Sequence, residues 1–173
     1  MPTWTGSFNK AGSPTVKFKL GGPLPNSEQE FEGIIDTGFT GFVSMPIVKA
    51  FPLGLLLAGT ASITLADGKS APQLTATGQV QIGGQSEIGV VILQGASADI
   101  LLGMDFLAKF GRVLFIHPNK GLASLMDQAE VDPLIDELLK TQAEVERQAR
   151  EAAAPKQGPP ETPATPPTPK TEG

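Results

Sequence analysis

The chain's 173 residues predict a mainly β fold, a closed or sandwich-like arrangement of about seven short strands, across the first 126 residues. Three observations lead there. Val, Ile, Leu and Thr alternate with polar residues in short runs. Eighteen of the chain's twenty glycines lie there, and turn pairs such as Gly21-Gly22, Asp67-Gly68 and Gly83-Gly84 punctuate those runs. A sustained helical period appears only beyond Asp127.

Taken in order, residues 1–11 read as a flexible N-terminal arm with Trp4 as its only large anchor. Val16, Phe18 and Leu20 alternate with Thr15, Lys17 and Lys19, the pattern of a half-buried strand. A Gly- and Pro-rich turn over 21–27 leads into a second strand, 29–35, which delivers Asp36. Residues 42–45 are extended again, and Pro46 opens a helical turn to Phe51. Residues 62–65 and 73–77 flank Ala66-Asp67-Gly68-Lys69 as a hairpin with an Asp-Gly turn. Two further strands, 79–82 and 88–93, surround Gly83-Gly84. A buried strand near Leu101-Leu102, a short helix from Met104 to Phe110, and a hairpin of 112–116 with 122–126 complete the β-rich part.

The composition then changes. Val131, Leu134, Ile135, Leu138, Leu139, Gln142 and Val145 fall at helical spacing among charged residues. Residues 127–153 are therefore expected to form an amphipathic helix, supported by Glu146 and Arg150 one turn apart, that packs on the parent domain or on a partner. Residues 154–173, rich in Pro, Thr, Lys and Glu, are expected to form a disordered tail.

Several function classes are excluded or disfavoured. With no cysteine, thiol nucleophiles, disulfides and zinc-thiolate sites are impossible, and the single His117 rules out a multi-histidine metal site. No metal or other cofactor is expected. Residues 1–126 carry eight acidic and eight basic side chains, and residues 127–173 carry ten and five, which accounts for the net charge of −5. No basic stripe is available for nucleic acid. The most apolar run, 51–59, is too short to span a bilayer and is interrupted by Pro52 and Gly54, and the N-terminus has no signal-peptide pattern. The expectation is a cytoplasmic protein that binds neither nucleic acid nor membrane.

The stretch with chemical content is Gly33-Ile34-Ile35-Asp36-Thr37-Gly38. An apolar strand ends in an acid at the mouth of a turn, where its carboxylate is partly desolvated, a placement that costs stability. Alternatively, Asp36 closes an Asx turn by bonding only its own backbone. A second stretch, Asp99-Ile100-Leu101-Leu102-Gly103-Met104-Asp105, reads as a buried strand, a glycine and a helix start. The ordered pair, Ile34-Ile35-Asp36-Thr37-Gly38 and, about sixty residues on, Leu101-Leu102-Gly103, resembles the retropepsin-like single-domain aspartic proteases of clan AA. The phrase Asp-Thr-Gly-Phe-Thr-Gly looks closest to small prokaryotic members, and the resemblance covers about residues 12–126.

The resemblance implies a closed retropepsin-like barrel with one short helix, acting as a homodimeric endopeptidase on peptides. Asp36 would be catalytic, Thr37 and Gly38 would support the active turn, and Leu101, Leu102 and Gly103 would pack beneath it. Phe39 and Thr40 beside the turn, and Asp67, Gly68 and Lys69 at the tip of a flap, would meet substrate. Phe39 departs from the small residue usual after Asp-Thr-Gly, and Thr40 and Gly41 stand where many retroviral members have acids. Phe39, Phe42 and the leucine-rich strands would favour apolar side chains around the cleaved bond.

Other acids have simpler roles. Asp105 suits the first turn of a helix, where carboxylates meet free N–H groups, and Asp99 suits a turn or strand edge. A triad of Ser44, His117 and an aspartate lacks a nucleophile elbow. The competing reading is a non-catalytic dimerisation or peptide-binding module on the same fold.

Overall fold

A computed structural model describes residues 3–64 and 70–153. The flap-tip candidates Asp67, Gly68 and Lys69 and the proline-rich tail lie outside the described residues. The chain divides into two units, 1–134 and 135–173.

Among the described residues the first unit is a β structure of ten strands: β1 (Trp4–Phe8), β2 (Pro14–Gly21), β3 (Gln29–Ile35), β4 (Val43–Pro46), β5 (Leu56–Thr64), β6 (Ser70–Ile82), β7 (Gln85–Gln94), β8 (Leu101–Leu102), β9 (Arg112–His117) and β10 (Leu122–Asp127). Helix α1 (Ile47–Ala50) follows Pro46, as its fixed φ favours, and α2 (Met104–Lys109) follows Gly103. Strands β6, β7, β4, β8, β3 and β2 pair in that order, and the pairing of β2 with β6 closes them into a six-stranded barrel. The order continues from β2 through β1 and β10 to β9, while β5 extends it beyond β6.

Inward positions of the barrel carry Val16, Phe18, Leu20, Ile35, Val43, Met45, Val80, Val91 and Leu102, all buried. The barrel is capped by an aromatic cluster that anchors α2. Phe106 and Phe110 have ring centroids 4.9 Å apart, Phe42 lies 5.9 Å from Phe106, and Trp4 meets Phe110 edge-on at 5.3 Å. The Arg112 guanidinium sits 3.9 Å over the Trp4 ring and 3.7 Å from Asp127, and also bonds Gln85. It thereby ties β1, the start of β7 and both strands of the last hairpin together.

Three sequence expectations are corrected. Residues 4–8 are not a loose arm: β1 pairs with β10 through Trp4, Thr5 and Gly6 and with β2 through Ser7 and Phe8. Its inward positions alternate, but one of them is Gly6, so the apolar signal is thin. The runs 73–77 and 79–82 are one strand, because Gly78 is not a turn residue. A side chain there would press within 3.0 Å of Leu20 and Leu55 and 3.2 Å of Val91. The helix expected over 127–153 is α3 (Gln128–Ala153), and it accommodates Pro133. Along α3, Gln142 bonds Glu146 and Arg147 pairs with Glu144, in place of the anticipated Glu146–Arg150 pair. Among the described residues, no helix is long and apolar enough to cross a membrane.

Candidate active site

The two motifs singled out in the sequence meet in one piece of sheet. β8 is only two residues long, yet it lies between β3 and β4, parallel to the first and antiparallel to the second. Leu102 faces Ile35 on one side and Val43 on the other. The loop 36–42 therefore has one limb on each side of β8 and must arch over Gly103.

Backbone hydrogen bonds hold that arch. Asp36 N–H donates to the Leu102 carbonyl at 2.9 Å, which fixes the point where the carboxylate leaves the sheet. Gly103 N–H donates to the Phe42 carbonyl at 3.2 Å. The first N–H groups of α2 have no partners within their own helix. Met104 N–H instead bonds the Phe39 carbonyl at 2.8 Å, and Asp105 N–H the Thr40 carbonyl at 3.2 Å. The loop carrying Asp36 thus caps the helix, and the helix clamps the loop. Gly103 is required by this closeness: a Cβ there would collide with the carbonyl oxygens of Phe39 and Gly41. Asp105 lies in the first turn of α2, as its chemistry suggested.

Asp36 itself is half-buried. Its Oδ1 accepts the Gly38 N–H at 2.9 Å, so the Asx turn weighed as an alternative is present. That turn uses one oxygen; Oδ2 has no hydrogen bond among the described residues. The local bond therefore orients the carboxylate and leaves an oxygen for chemistry. Thr37 and Gly38 are exposed at the tip, and the Thr37 hydroxyl has no partner among the described residues. The Gly38 backbone is not left-handed. A Cβ there would meet only Asp36 Oδ1, at 3.2 Å.

Beneath the turn, Leu102 and Gly103 are buried and Leu101 is half-buried. The half-buried Phe39 ring lies over Gly41 and Gly103, so its bulk is taken up by two glycines. Phe42 cannot line a substrate pocket, because it is buried in the aromatic cluster with Phe106 and Phe110. Thr40 is exposed beside the turn. Ser44 is fully buried in β4 and its hydroxyl has no partner among the described residues, which removes it as a nucleophile. No group of three or more potential metal ligands occurs among the described residues. Sequence reasoning missed the clamp made by the Phe39, Thr40 and Phe42 carbonyls. The signal available was the helix start after Gly103, which needs acceptors from somewhere.

A separate apolar recess of about 300 Å³ is lined by Ile47, Phe51, Leu55, Leu57, Leu74 and Leu93, at the base of the β5–β6 hairpin. Asp36 does not line it.

Comparison with protein families matches residues 16–106, just over half of the chain, to the family described as aspartyl protease. Among solved structures, the chain is similar to the EIAV protease complexed with the inhibitor HBY-793. The two are 14% identical, with 64% of this chain and 99% of that one covered at a TM-score of 0.50. A retropepsin-like aspartic protease from Rickettsia conorii is 21% identical, with 72% and 90% covered at a TM-score of 0.47. Comparison with curated protein sequences gives no match. The chain belongs to the aspartyl protease family, and its barrel is retropepsin-like.

Proposed function

We propose that the chain is an aspartic endopeptidase that works as a homodimer, with Asp36 of each subunit flanking one water. The observation that carries this reading is the state of Asp36. It is fixed at a strand end by the Leu102 carbonyl, oriented through Oδ1, and left with Oδ2 uncommitted beside an exposed Thr37-Gly38 tip. One carboxylate cannot both take a proton from water and protonate the substrate carbonyl; two can. A two-fold axis at the turn supplies the second from an identical chain.

Two carboxylates ~3 Å apart cannot both ionise, so the pair holds one proton. The ionised member takes a proton from the water as its oxygen bonds to the scissile carbonyl carbon. The protonated member gives its proton to the carbonyl oxygen. The resulting tetrahedral diol collapses as the carboxyl that took the water's proton passes it to the amide nitrogen, a diol hydroxyl returns its proton to the other carboxylate, and the C–N bond breaks. The pair ends with one shared proton, as it began. Thr37 would bond across the axis and keep the carboxylates coplanar, and Gly38 would let substrate backbone approach. Leu101, Leu102 and Gly103 would hold the turn from below. Thr40 and the face of Phe39 turned from its glycines would meet substrate, with Asp67, Gly68 and Lys69 on a flap closing over it.

The test is cleavage of a diverse peptide pool from pH 3 to 8 by wild type and Asp36→Asn. This reading predicts cleavage that rises faster than linearly with protein concentration and disappears in the variant. A folded wild-type dimer that cleaves nothing at any pH would favour a peptide-binding module instead.

A further inference from the structure

We propose that α3 pairs with α3 of a second copy of this chain as a parallel, two-stranded coiled coil. The proposal rests on the homodimeric reading above for the direction of the pair, and it adds a contact outside the barrel that holds the two chains together.

The 26 residues of α3 span about 39 Å. Val131, Ile135, Leu138, Gln142, Val145 and Ala149 follow one another at alternating spacings of four and three residues. That is the period of a coiled-coil seam, and counted from Gln128 it runs through just over three seven-residue repeats. Leu138 and Val145 on the seam, and Leu134 and Leu139 beside it, are between 57% and 70% exposed. A helix draws most of its stability from burying such a face, so the seam calls for an occupant. Pro133 falls on the opposite face, at the outermost position of its repeat, where it cannot disturb a pair.

Three features favour a second copy as the occupant. The first is where charge lies. Of the ten charged residues between 128 and 153, only Asp132 and Glu146 stand beside the seam, and the rest hold outer positions. Seven of the ten are acidic, which suits neither an anionic lipid surface nor an acidic peptide. The second is the pair of leucines beside the seam. In a parallel coiled coil, the residue just before each seven-residue repeat faces the residue five positions further along the twin helix. Leu134 would therefore meet the partner's Leu139 and widen the apolar seam around Leu138. Thr141 would meet the partner's Glu146 in the same way, a hydroxyl beside a carboxylate. The third is Gln142, the polar residue in the middle of the seam. In a parallel, in-register pair it faces its own twin, and the two amides can hydrogen-bond; reversed or slipped, it faces an apolar residue. Gln142 Nε2 already bonds Glu146 Oε1 at 3.1 Å within the helix, which uses one of the amide's two N–H groups.

The direction of the pair follows from the shared active site. α3 begins at Gln128, directly after β10 ends at Asp127. An antiparallel pair would start the two chains' helices at opposite ends, about 39 Å apart, which does not suit two Asp36 carboxylates meeting at about 3 Å. A parallel pair starts them at the same end. The tether raises the effective concentration of one barrel for the other, so the Asp36 pair forms at lower protein concentration than barrels alone would need.

The chain has no cysteine, so a single introduced one cross-links only to its twin. Val131→Cys and Val145→Cys on the seam, and Lys140→Cys on the outer face, would each be oxidised in the full-length protein. Sedimentation velocity and peptide cleavage would be measured for wild type and Leu138→Lys, with circular dichroism verifying the fold. The expected result is cross-linking at both valine positions and none at Lys140→Cys. In an antiparallel pair a residue meets its twin only near the midpoint, so the two valine positions could not both link. Leu138→Lys should dissociate about a hundredfold more readily and recover activity at high protein concentration. A Leu138→Lys protein that dimerises and cleaves as wild type does, with neither valine position linked, would overturn the proposal while leaving the Asp36 dimer intact. Linkage at only one valine position would overturn the parallel pair. A wild-type dimer linked at both positions that cleaves nothing would uphold the helix pair and overturn the endopeptidase reading. A wild type that stays monomeric at every concentration would overturn the helix pair and the homodimeric reading together.

Discussion

Replacing Gly103 by alanine tests the clamp between the two motifs. The added Cβ would lie on the carbonyl oxygens of Phe39 and Gly41 and 2.7 Å from Phe39 Cδ1, inside the 3.0 Å that real Cβ atoms respect. Two of these three neighbours are backbone atoms, so the loop must lift rather than a side chain swing away. Lifting it stretches the Met104 N–H bond to the Phe39 carbonyl, 2.8 Å, and the Gly103 N–H bond to the Phe42 carbonyl, 3.2 Å. Overpacking of this kind costs about 1–3 kcal/mol and each weakened hydrogen bond about 1 kcal/mol. Gly103→Ala should therefore lose about 3 kcal/mol, a fall of about 10 °C in Tm for a domain of this size. It should also lose most cleavage activity, because Asp36 rides on the same loop. The matched control is Gly38→Ala, whose Cβ meets only Asp36 Oδ1 at 3.2 Å on a backbone any residue can adopt. Its stability should stay within about 1 kcal/mol of wild type, as for changes away from packed features, while its activity falls. Thermal unfolding followed by circular dichroism, with peptide cleavage on the same samples, reads both. A Gly103→Ala protein within 1 kcal/mol of wild type would refute the clamp.

Other expectations follow from the same structure. Trp4 is the chain's only tryptophan and is 6% exposed, so its fluorescence should be that of a buried indole, and Trp4→Ala should cost about 3–5 kcal/mol in chemical denaturation. A solvent-exposed emission spectrum in the folded protein would return residues 1–11 to a loose arm. Arg112→Met removes the cation that faces Trp4 and Asp127 and should destabilise by about 3 kcal/mol. Part of that should return in Arg112→Met/Asp127→Asn, and an additive double mutant would show that the two are not coupled. Because the proposed pair works with one proton, cleavage should follow a bell-shaped pH profile, lost when both carboxylates are protonated and when neither is. A profile flat to pH 8 would argue against a shared proton.

The readable parts of the sequence were those in which local chemistry and tertiary role coincide. An apolar strand ending in Asp-Thr-Gly and a buried Leu-Leu-Gly before a helix each have a local reason for their residues, and the fold places them side by side across β3 and β8. Glycine misled where its reason was tertiary. Gly78 reads as a break but sits inside β6, because Leu20, Leu55 and Val91 leave no room for a side chain. The Asp36-Thr37-Gly38 turn closes through the Asp36 carboxylate, without a left-handed glycine. β1 was hidden because its alternation of Trp4, Gly6 and Phe8 has a gap at the glycine, and its pairing with β10 is non-local. The role of Phe39 was half legible: its bulk was plain, but the two glycines that receive its ring, Gly41 and Gly103, are 62 residues apart in the chain.

The central claim is that each active site takes one Asp36 from each of two chains, and mixing tests it most directly. Wild type and Asp36→Asn would be combined at constant total concentration, allowed to exchange subunits, and assayed for cleavage. If both carboxylates are required, activity follows the square of the wild-type fraction, about one quarter at an equal mixture, since only wild-type pairs are competent. Activity that falls linearly, to about one half at the same point, would mean that a single chain carries the chemistry alone, and the shared site would be wrong.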